Sequence, residues 1–250
     1  MTSASYQATV DGFEKKGFSK EEAASLIQSS IALVQDARDE YLSSHEEENC
    51  PAPLTAASVG PYGAYLADGS EYRGDYGKTR EELADFHRER IHILAEAGPD
   101  VFACETIPCL VEALAETDVL SEIPGAEAWI SFSCKDGLHT CGGDLISDCA
   151  KALKDIKEVA AIGINCTAPQ YVESLIKEIV KVTDKPVVVY PNSGEDYDAG
   201  SKSWEGSAAN YEDYVKIWYE AGARLIGGCC RTGPEDIRKV AAFRKSLIEK

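Results

Sequence analysis

Short apolar runs alternate along this chain with longer stretches in which apolar residues recur every three or four positions. The first pattern predicts strands and the second amphipathic helices. Strands are expected from Thr2 to Ala8, Ala52 to Val59, Asp100 to Glu105, Ala126 to Ser133, Val159 to Asn165, Pro186 to Tyr190 and Leu225 to Gly227. A helix follows each of them: Lys20 to Leu42, Thr79 to Ala97, Leu110 to Ser121, Leu145 to Lys154, Gln170 to Val182, Asn210 to Ala221 and Pro234 to Ile248. Ser19 followed by Glu22 is a capping box for the first long helix. Repeated β-α units of this kind build parallel sheets.

Polar and glycine-rich clusters sit just past the C-terminal ends of the expected strands: Ser58-Val59-Gly60-Pro61, Glu105-Thr106, Asn165-Cys166-Thr167, Pro191-Asn192-Ser193-Gly194 and Gly227-Gly228-Cys229-Cys230. A closed barrel would bring all of these to one mouth, whereas an open doubly wound sheet converges only the loops at its switch point. The expected fold is therefore an α/β barrel of the TIM type, (β/α)8. Seven units are visible and the first is missing, which would leave strand edges exposed to self-association.

With 250 residues and 44% hydrophobic content, residues 1–250 suit one globular domain. Against 25 Lys and Arg stand 43 Asp and Glu, a formal net charge of −18. Such a surface repels nucleic acid and anionic membranes, so neither is an expected partner. No run reaches the roughly 18 to 20 apolar residues that span a bilayer. The N-terminus has no secretory pattern, and a cytoplasmic location is expected.

Nine cysteines, with no C-x-x-C pair, fit free thiols in a reducing compartment better than a disulfide scaffold. Three of them lie at strand ends: Cys166 after the fifth strand, and the vicinal Cys229 and Cys230 after the seventh. In a barrel their sulfurs could meet across the mouth. Three thiolates with one open position make a catalytic zinc site, and soft sulfur favours Zn2+ over magnesium or calcium. Two alternatives stay open on spacing alone. The thiols could be small buried hydrophobes without a metal. Gly227-Gly228 could instead cradle a phosphate, as loops after the last strands of barrels often do. The four histidines form no zinc-binding pattern.

Several segments carry a resemblance to a known family: Thr2-Ser3-Ala4-Ser5-Tyr6-Gln7-Ala8, Ser58-Val59-Gly60-Pro61-Tyr62-Gly63-Ala64, Gly69-Ser70-Glu71-Tyr72-Arg73-Gly74, Cys104-Glu105-Thr106-Ile107-Pro108, Gly163-Ile164-Asn165-Cys166-Thr167, Tyr190-Pro191-Asn192-Ser193-Gly194-Glu195 and Gly227-Gly228-Cys229-Cys230-Arg231-Thr232. The chain resembles the homocysteine S-methyltransferases, zinc-dependent barrels, and is closer to the branch using S-methylmethionine or S-adenosylmethionine than to the betaine branch. The resemblance implies Zn2+ on Cys166, Cys229 and Cys230, with homocysteine and a sulfonium methyl donor as partners. It implies that Glu105 binds the amino group of homocysteine. Asn165, Ser58, Tyr6 and Gln7 are expected at the substrate site. Relatives begin with a further strand bearing an Asp-Gly-Gly type segment, which has no counterpart here, so an N-terminally truncated homocysteine-binding barrel is expected. Its alternative functions are a zinc-binding barrel with impaired or no catalysis and a phosphate-binding barrel enzyme.

Overall fold

The computed structural model describes residues 1–45, 52–198, 203–206 and 208–248. Cys50, one of the nine cysteines, lies outside the described residues. Six parallel strands form one sheet in the order β1 (Ala56–Val59), β2 (Val101–Ile107), β3 (Ala128–Phe132), β4 (Val159–Asn165), β5 (Val187–Tyr190) and β8 (Ala223–Ile226). Helices cover its outer side: α2 (Lys20–Ser44), α4 (Arg80–Glu96), α5 (Leu110–Leu120), α6 (Ile146–Leu153), α7 (Pro169–Val180), α8 (Tyr211–Ala221) and α9 (Pro234–Ile248). The expected capping box of Ser19 with Glu22 forms, and Thr79 with Glu82 forms a second one. This is the wall of a TIM-type α/β barrel, left open among the described residues between β8 and the N-terminal edge.

The first expected strand does not form. Thr2 alone makes a parallel bridge to Ala56, and the Ser3 amide donates to the Ala56 carbonyl at 2.9 Å. The backbone then leaves the ladder and side chains take over, with the Ser5 hydroxyl donating to the Ser58 carbonyl at 2.7 Å. Thr9 ends the segment by capping a short helix, α1 (Val10–Glu14). Among the described residues the wall thus has six strands and a one-residue bridge, rather than seven strands. Two further short elements follow β1, the helix α3 (Tyr62–Leu66) and a 3-10 turn at Ser70–Tyr72. A small antiparallel hairpin, β6 (Asp196–Asp198) with β7 (Ser203–Glu205), follows β5. The largely polar, glycine-containing run around it carries no sustained strand signal in the sequence.

Strand alternation divides the labour of the sheet. Outward positions such as Ala57, Val59, Phe102, Cys104, Ile130, Phe132, Ile162, Ile164, Val187 and Val189 join the helices in the main core. Inward positions start small and apolar, with Ala56, Val101 and Ala103 packed against Trp129. Towards the C-terminal ends they turn polar, as Ser58, Glu105, Ser131, Asn165 and Tyr190. Gly163 lies between these layers on β4. A Cβ there would sit 1.6 Å from the Val188 carbonyl oxygen, so only glycine lets β4 and β5 approach this closely.

Candidate functional site

Three sulfurs converge where β4 and β8 end. Cys166 follows β4, and Cys229-Cys230 lie in the turn after β8. The Cys166 Sγ is 2.7 Å from that of Cys229 and 3.8 Å from that of Cys230, and the vicinal pair are 3.9 Å apart. Among the described residues this is the one group of three or more Cys, His, Asp or Glu whose potential ligand atoms all lie within 4.8 Å of one another.

The backbone is built to aim them. Cys166 adopts φ +45°, a left-handed conformation uncommon for a side-chain-bearing residue. After β8 the chain is tied back to the neighbouring loop: the Gly227 amide donates to Val189 O at 2.8 Å, the Cys229 amide to Pro191 O at 2.9 Å, and the Ser193 amide to Cys230 O at 3.0 Å. Gly228 packs directly on Thr232, whose Oγ1 would lie 2.2 Å from an added Cβ, while that hydroxyl donates to the Cys229 carbonyl at 2.7 Å. Arg231 pairs with Glu195 at 3.2 Å and closes the turn from outside. Two amides of the Gly-Gly turn are thus already donated within the protein, which argues against a phosphate cradle there.

Electrostatically, three sulfurs this close share protons. Cys230 accepts from Cys166 and Cys229 and is drawn down to about 3. Cys166, engaged by both partners and buried, is pushed well above an ordinary thiol. The cluster therefore cannot become three thiolates by itself, and a soft divalent cation is the group that would let it. The donor set fits zinc.

Glu105 stands at the inward end of β2. Burial raises its carboxyl above the usual range, opposed by hydrogen bonds from Ser58 and Tyr190. The Ser58 hydroxyl donates to it at 2.5 Å. Tyr190 is held in turn by Trp129, whose indole N–H donates to the phenol oxygen at 2.9 Å. Thr106, the next residue, also has positive φ, +62°. Its amide donates to Asn165 Oδ1 at 2.7 Å, and its hydroxyl accepts from Asn165 Nδ2 at 2.8 Å. Ser131 donates to the same Oδ1 at 2.8 Å. Asn165 thus fastens two strained corners together, the one carrying Glu105 and the one carrying Cys166.

Of the residues expected from sequence, Cys166, Cys229 and Cys230 meet, and Glu105 and Ser58 meet. Tyr6 joins them: its hydroxyl bonds the Thr106 side chain, and its phenol lies close enough to Cys166 for their charges to interact. Asn165 is 1% exposed, and its bonds run to Thr106 and Ser131, so it braces the site from below. Gln7 is not brought to the mouth. Its amide donates to Ala64 O at 2.9 Å, and it lines a separate cavity of about 460 Å³ with Lys15 and Tyr65. Sequence reasoning missed Thr106, Ser131 and Tyr190 as site-building groups. Polar residues at inward positions of otherwise apolar strands were the available signal.

The family model for homocysteine S-methyltransferase matches residues 1–243. A homocysteine S-methyltransferase from Bacillus subtilis, YbgG, is 54% identical over 247 residues, covering 98% of this chain and 78% of the relative. Homocysteine S-methyltransferase 2 of Zea mays is 50% identical over 250 residues, covering 96% and 74%. The solved structure of the homocysteine methyltransferase MmuM from Escherichia coli, metallated form, superposes with a TM-score of 0.86 at 41% identity, covering 97% of this chain and 78% of that one. Fold, sulfur cluster and sequence agree: the chain belongs to the homocysteine S-methyltransferase family.

Proposed function

We propose that this protein transfers a methyl group from S-methylmethionine or S-adenosylmethionine to the sulfur of L-homocysteine, giving L-methionine. The convergence of Cys166, Cys229 and Cys230 carries this reading, and the buried carboxyl of Glu105 at the inward end of β2 supports it. Zinc held by the three cysteines would supply the Lewis acidity that binds the homocysteine sulfur and keeps it a thiolate at neutral pH. Glu105 would accept the substrate ammonium in a charge-assisted hydrogen bond, and its hydrogen bonds from Ser58 and Tyr190 support that role. Tyr6 and Thr106 wall the space between that anchor and the sulfurs.

The reaction is an in-line displacement. A new bond forms between the homocysteine sulfur and the methyl carbon, while the sulfonium–methyl bond breaks and its electron pair stays on the donor sulfur. The departing group is a neutral thioether, and the thiol proton of homocysteine passes to solvent. The anionic cluster and the net charge of −18 both favour approach of a cationic donor.

A cytoplasmic location is part of the same proposal. The described cysteines are free thiols, which suits a reducing compartment, and among the described residues no helix is long and apolar enough to cross a membrane. Association of two copies through the β8 edge, where Leu225 is 48% exposed, is checked by sedimentation. The deciding test measures methionine formed from homocysteine with each sulfonium donor, together with zinc per chain on the same sample. Turnover with about one zinc per chain is expected. One zinc without turnover would support the impaired zinc-binding barrel instead.

A further inference from the structure

Behind the mouth, on the outer side of β1 and β2, lies a cluster of ionisable residues with no part in metal binding. His87, Arg90, Glu112 and Glu116 are at most 2% exposed. His87 Nε2 is 3.0 Å from Glu112 Oε1, and Arg90 Nη2 is 2.7 Å from His87 Nδ1. Glu116 Oε1 lies 3.5 Å from the same Nδ1. Burial and the neighbouring Arg90 hold the His87 imidazole down at about 4, so it is neutral at physiological pH. Its partners then assign the tautomer: Nε2–H donates to Glu112, and Nδ1 accepts from Arg90. Burial and the nearby Glu112 push the Glu116 carboxyl well above its ordinary value. Arg90 thus faces Glu112 through the imidazole.

Burying charge costs several kcal/mol per ion, and apolar residues of the same volume often stabilise a fold more. This cluster therefore needs a reason beyond stability. Its outward bonds supply one. Arg90 Nη2 donates to the Gly60 carbonyl, and Nη1 reaches the Tyr6 carbonyl at 3.5 Å. Glu112 Oε1 accepts from the Tyr62 amide at 2.5 Å. All three contacts fall on main-chain atoms of the two segments that form one wall of the mouth. Those segments are themselves in register: the Gly60 amide donates to Tyr6 O at 3.1 Å, and the Tyr6 ring lies so close to Gly60 that an added Cβ would be 2.5 Å from it. Tyr6 then reaches Thr106 and the neighbourhood of Cys166, while Ser58, two residues before Gly60, holds Glu105.

We propose that His87, Arg90 and Glu112 are positioning residues that clamp the Tyr6 and Gly60–Tyr62 main chain and thereby set the affinity of the mouth for homocysteine. The proposal rests on the methyltransferase reading for its ligand, but not for the clamp itself. Arg90→Met removes the donors, Arg90→Lys restores a charge with shorter reach, and Glu112→Gln keeps shape without charge.

Each variant, loaded with zinc, is assayed for homocysteine KM and kcat, homocysteine Kd by calorimetry, zinc per chain, and hydrogen exchange at the Gly60 amide. Arg90→Met is expected to raise homocysteine KM and Kd about tenfold or more and to speed Gly60 exchange, with zinc per chain unchanged. Arg90→Lys should recover part of the affinity, and Glu112→Gln should lie between wild type and Arg90→Met. If Arg90→Met does not fold, Glu112→Gln and Arg90→Lys decide. Unchanged Gly60 exchange and unchanged homocysteine Kd in the folded variants would overturn the clamp. So would an affinity loss matched by loss of zinc and of global stability. A wild-type protein that binds no homocysteine would sink the functional reading, while Gly60 exchange would still report on the clamp.

Discussion

At the residue scale, the sulfurs and Glu105 ask for different things from their surroundings. Replacing Cys230 by Ser removes the sulfur that accepts from both neighbours. Zinc per chain should fall well below one and methyl transfer should be abolished, with the helical circular dichroism signal retained; metal analysis on the same sample checks it. Glu105→Gln separates function from stability. Burial raises the folded-state pKa of Glu105 above its ordinary 4.5. The wild-type side chain therefore stabilises the fold best below that ordinary value, and this contribution is lost as pH rises through the folded-state pKa. At neutral pH, Glu105→Gln should unfold at equal or higher denaturant concentration than wild type, yet bind homocysteine at least about tenfold more weakly. The stability advantage should vanish on acidification; urea titrations at two pH values show the sign. In wild type, homocysteine affinity should itself fall as pH drops through that raised pKa. The three cysteines and Glu105 could be picked out from the chain alone because their chemistry is tied to residue type and strand end. Gln7 could not be placed, because its side-chain direction depended on a strand that ends at Thr2.

At the element scale, the site is a pair of strained corners held by one amide side chain. Thr106 and Cys166 both have positive φ, and conformations of this kind cost on the order of 1–3 kcal/mol each. Asn165 meets that cost with its three bonds. Asn165→Ala should destabilise the protein by about 2–4 kcal/mol and weaken homocysteine binding; guanidinium denaturation and calorimetry measure the two effects. Gly163→Ala tests the approach of β4 to β5. With 1.6 Å between the new Cβ and Val188 O, the strands must separate, and a loss of about 3 kcal/mol or more is expected from the denaturation midpoint. Strand and helix order followed from apolar periodicity, and the Ser19–Glu22 capping box from its spacing. The buried cluster on α4 and α5 did not. Within the stretch Phe86-His87-Arg88-Glu89-Arg90, the charged residues look like an ordinary wet helix face, and only the packing of α4 on α5 shows that His87 and Arg90 face inward.

At the scale of the whole molecule, net charge opposes stability and zinc on the three cysteines would add to it. With a net charge of −18, self-repulsion opposes compaction and is screened as the Debye length shrinks from about 10 Å at 0.1 M salt to about 3 Å at 1 M. Thermal unfolding should move to higher temperature across that range, while KM for the cationic donor rises as its attraction is screened. Metal removal should act the other way. Zinc at a hundred times its Kd adds about 2.7 kcal/mol, so a chelator should lower Tm by roughly 5 to 10 °C. In Cys230→Ser the chelator should have little effect, and scanning calorimetry on both proteins makes the comparison. The parallel barrel wall was legible because six strand–helix units repeat. Its N-terminal edge was not, because the hydroxyls of Ser3 and Ser5 do work that a backbone ladder does elsewhere.

Cys104 and Glu105 are adjacent on β2 yet belong to different worlds, one thiol packed among the helices and one carboxyl on the inward side with Ser58 and Tyr190. Their assignment is a matter of odd and even. Deleting a single residue early in β2 would exchange the two, sending a carboxylate into the apolar layer and a thiol towards the sulfurs, although every residue type needed for chemistry would still be present. Insertions and deletions in descendants of this chain should therefore gather in the loops, while each wall segment keeps its length as strictly as its composition.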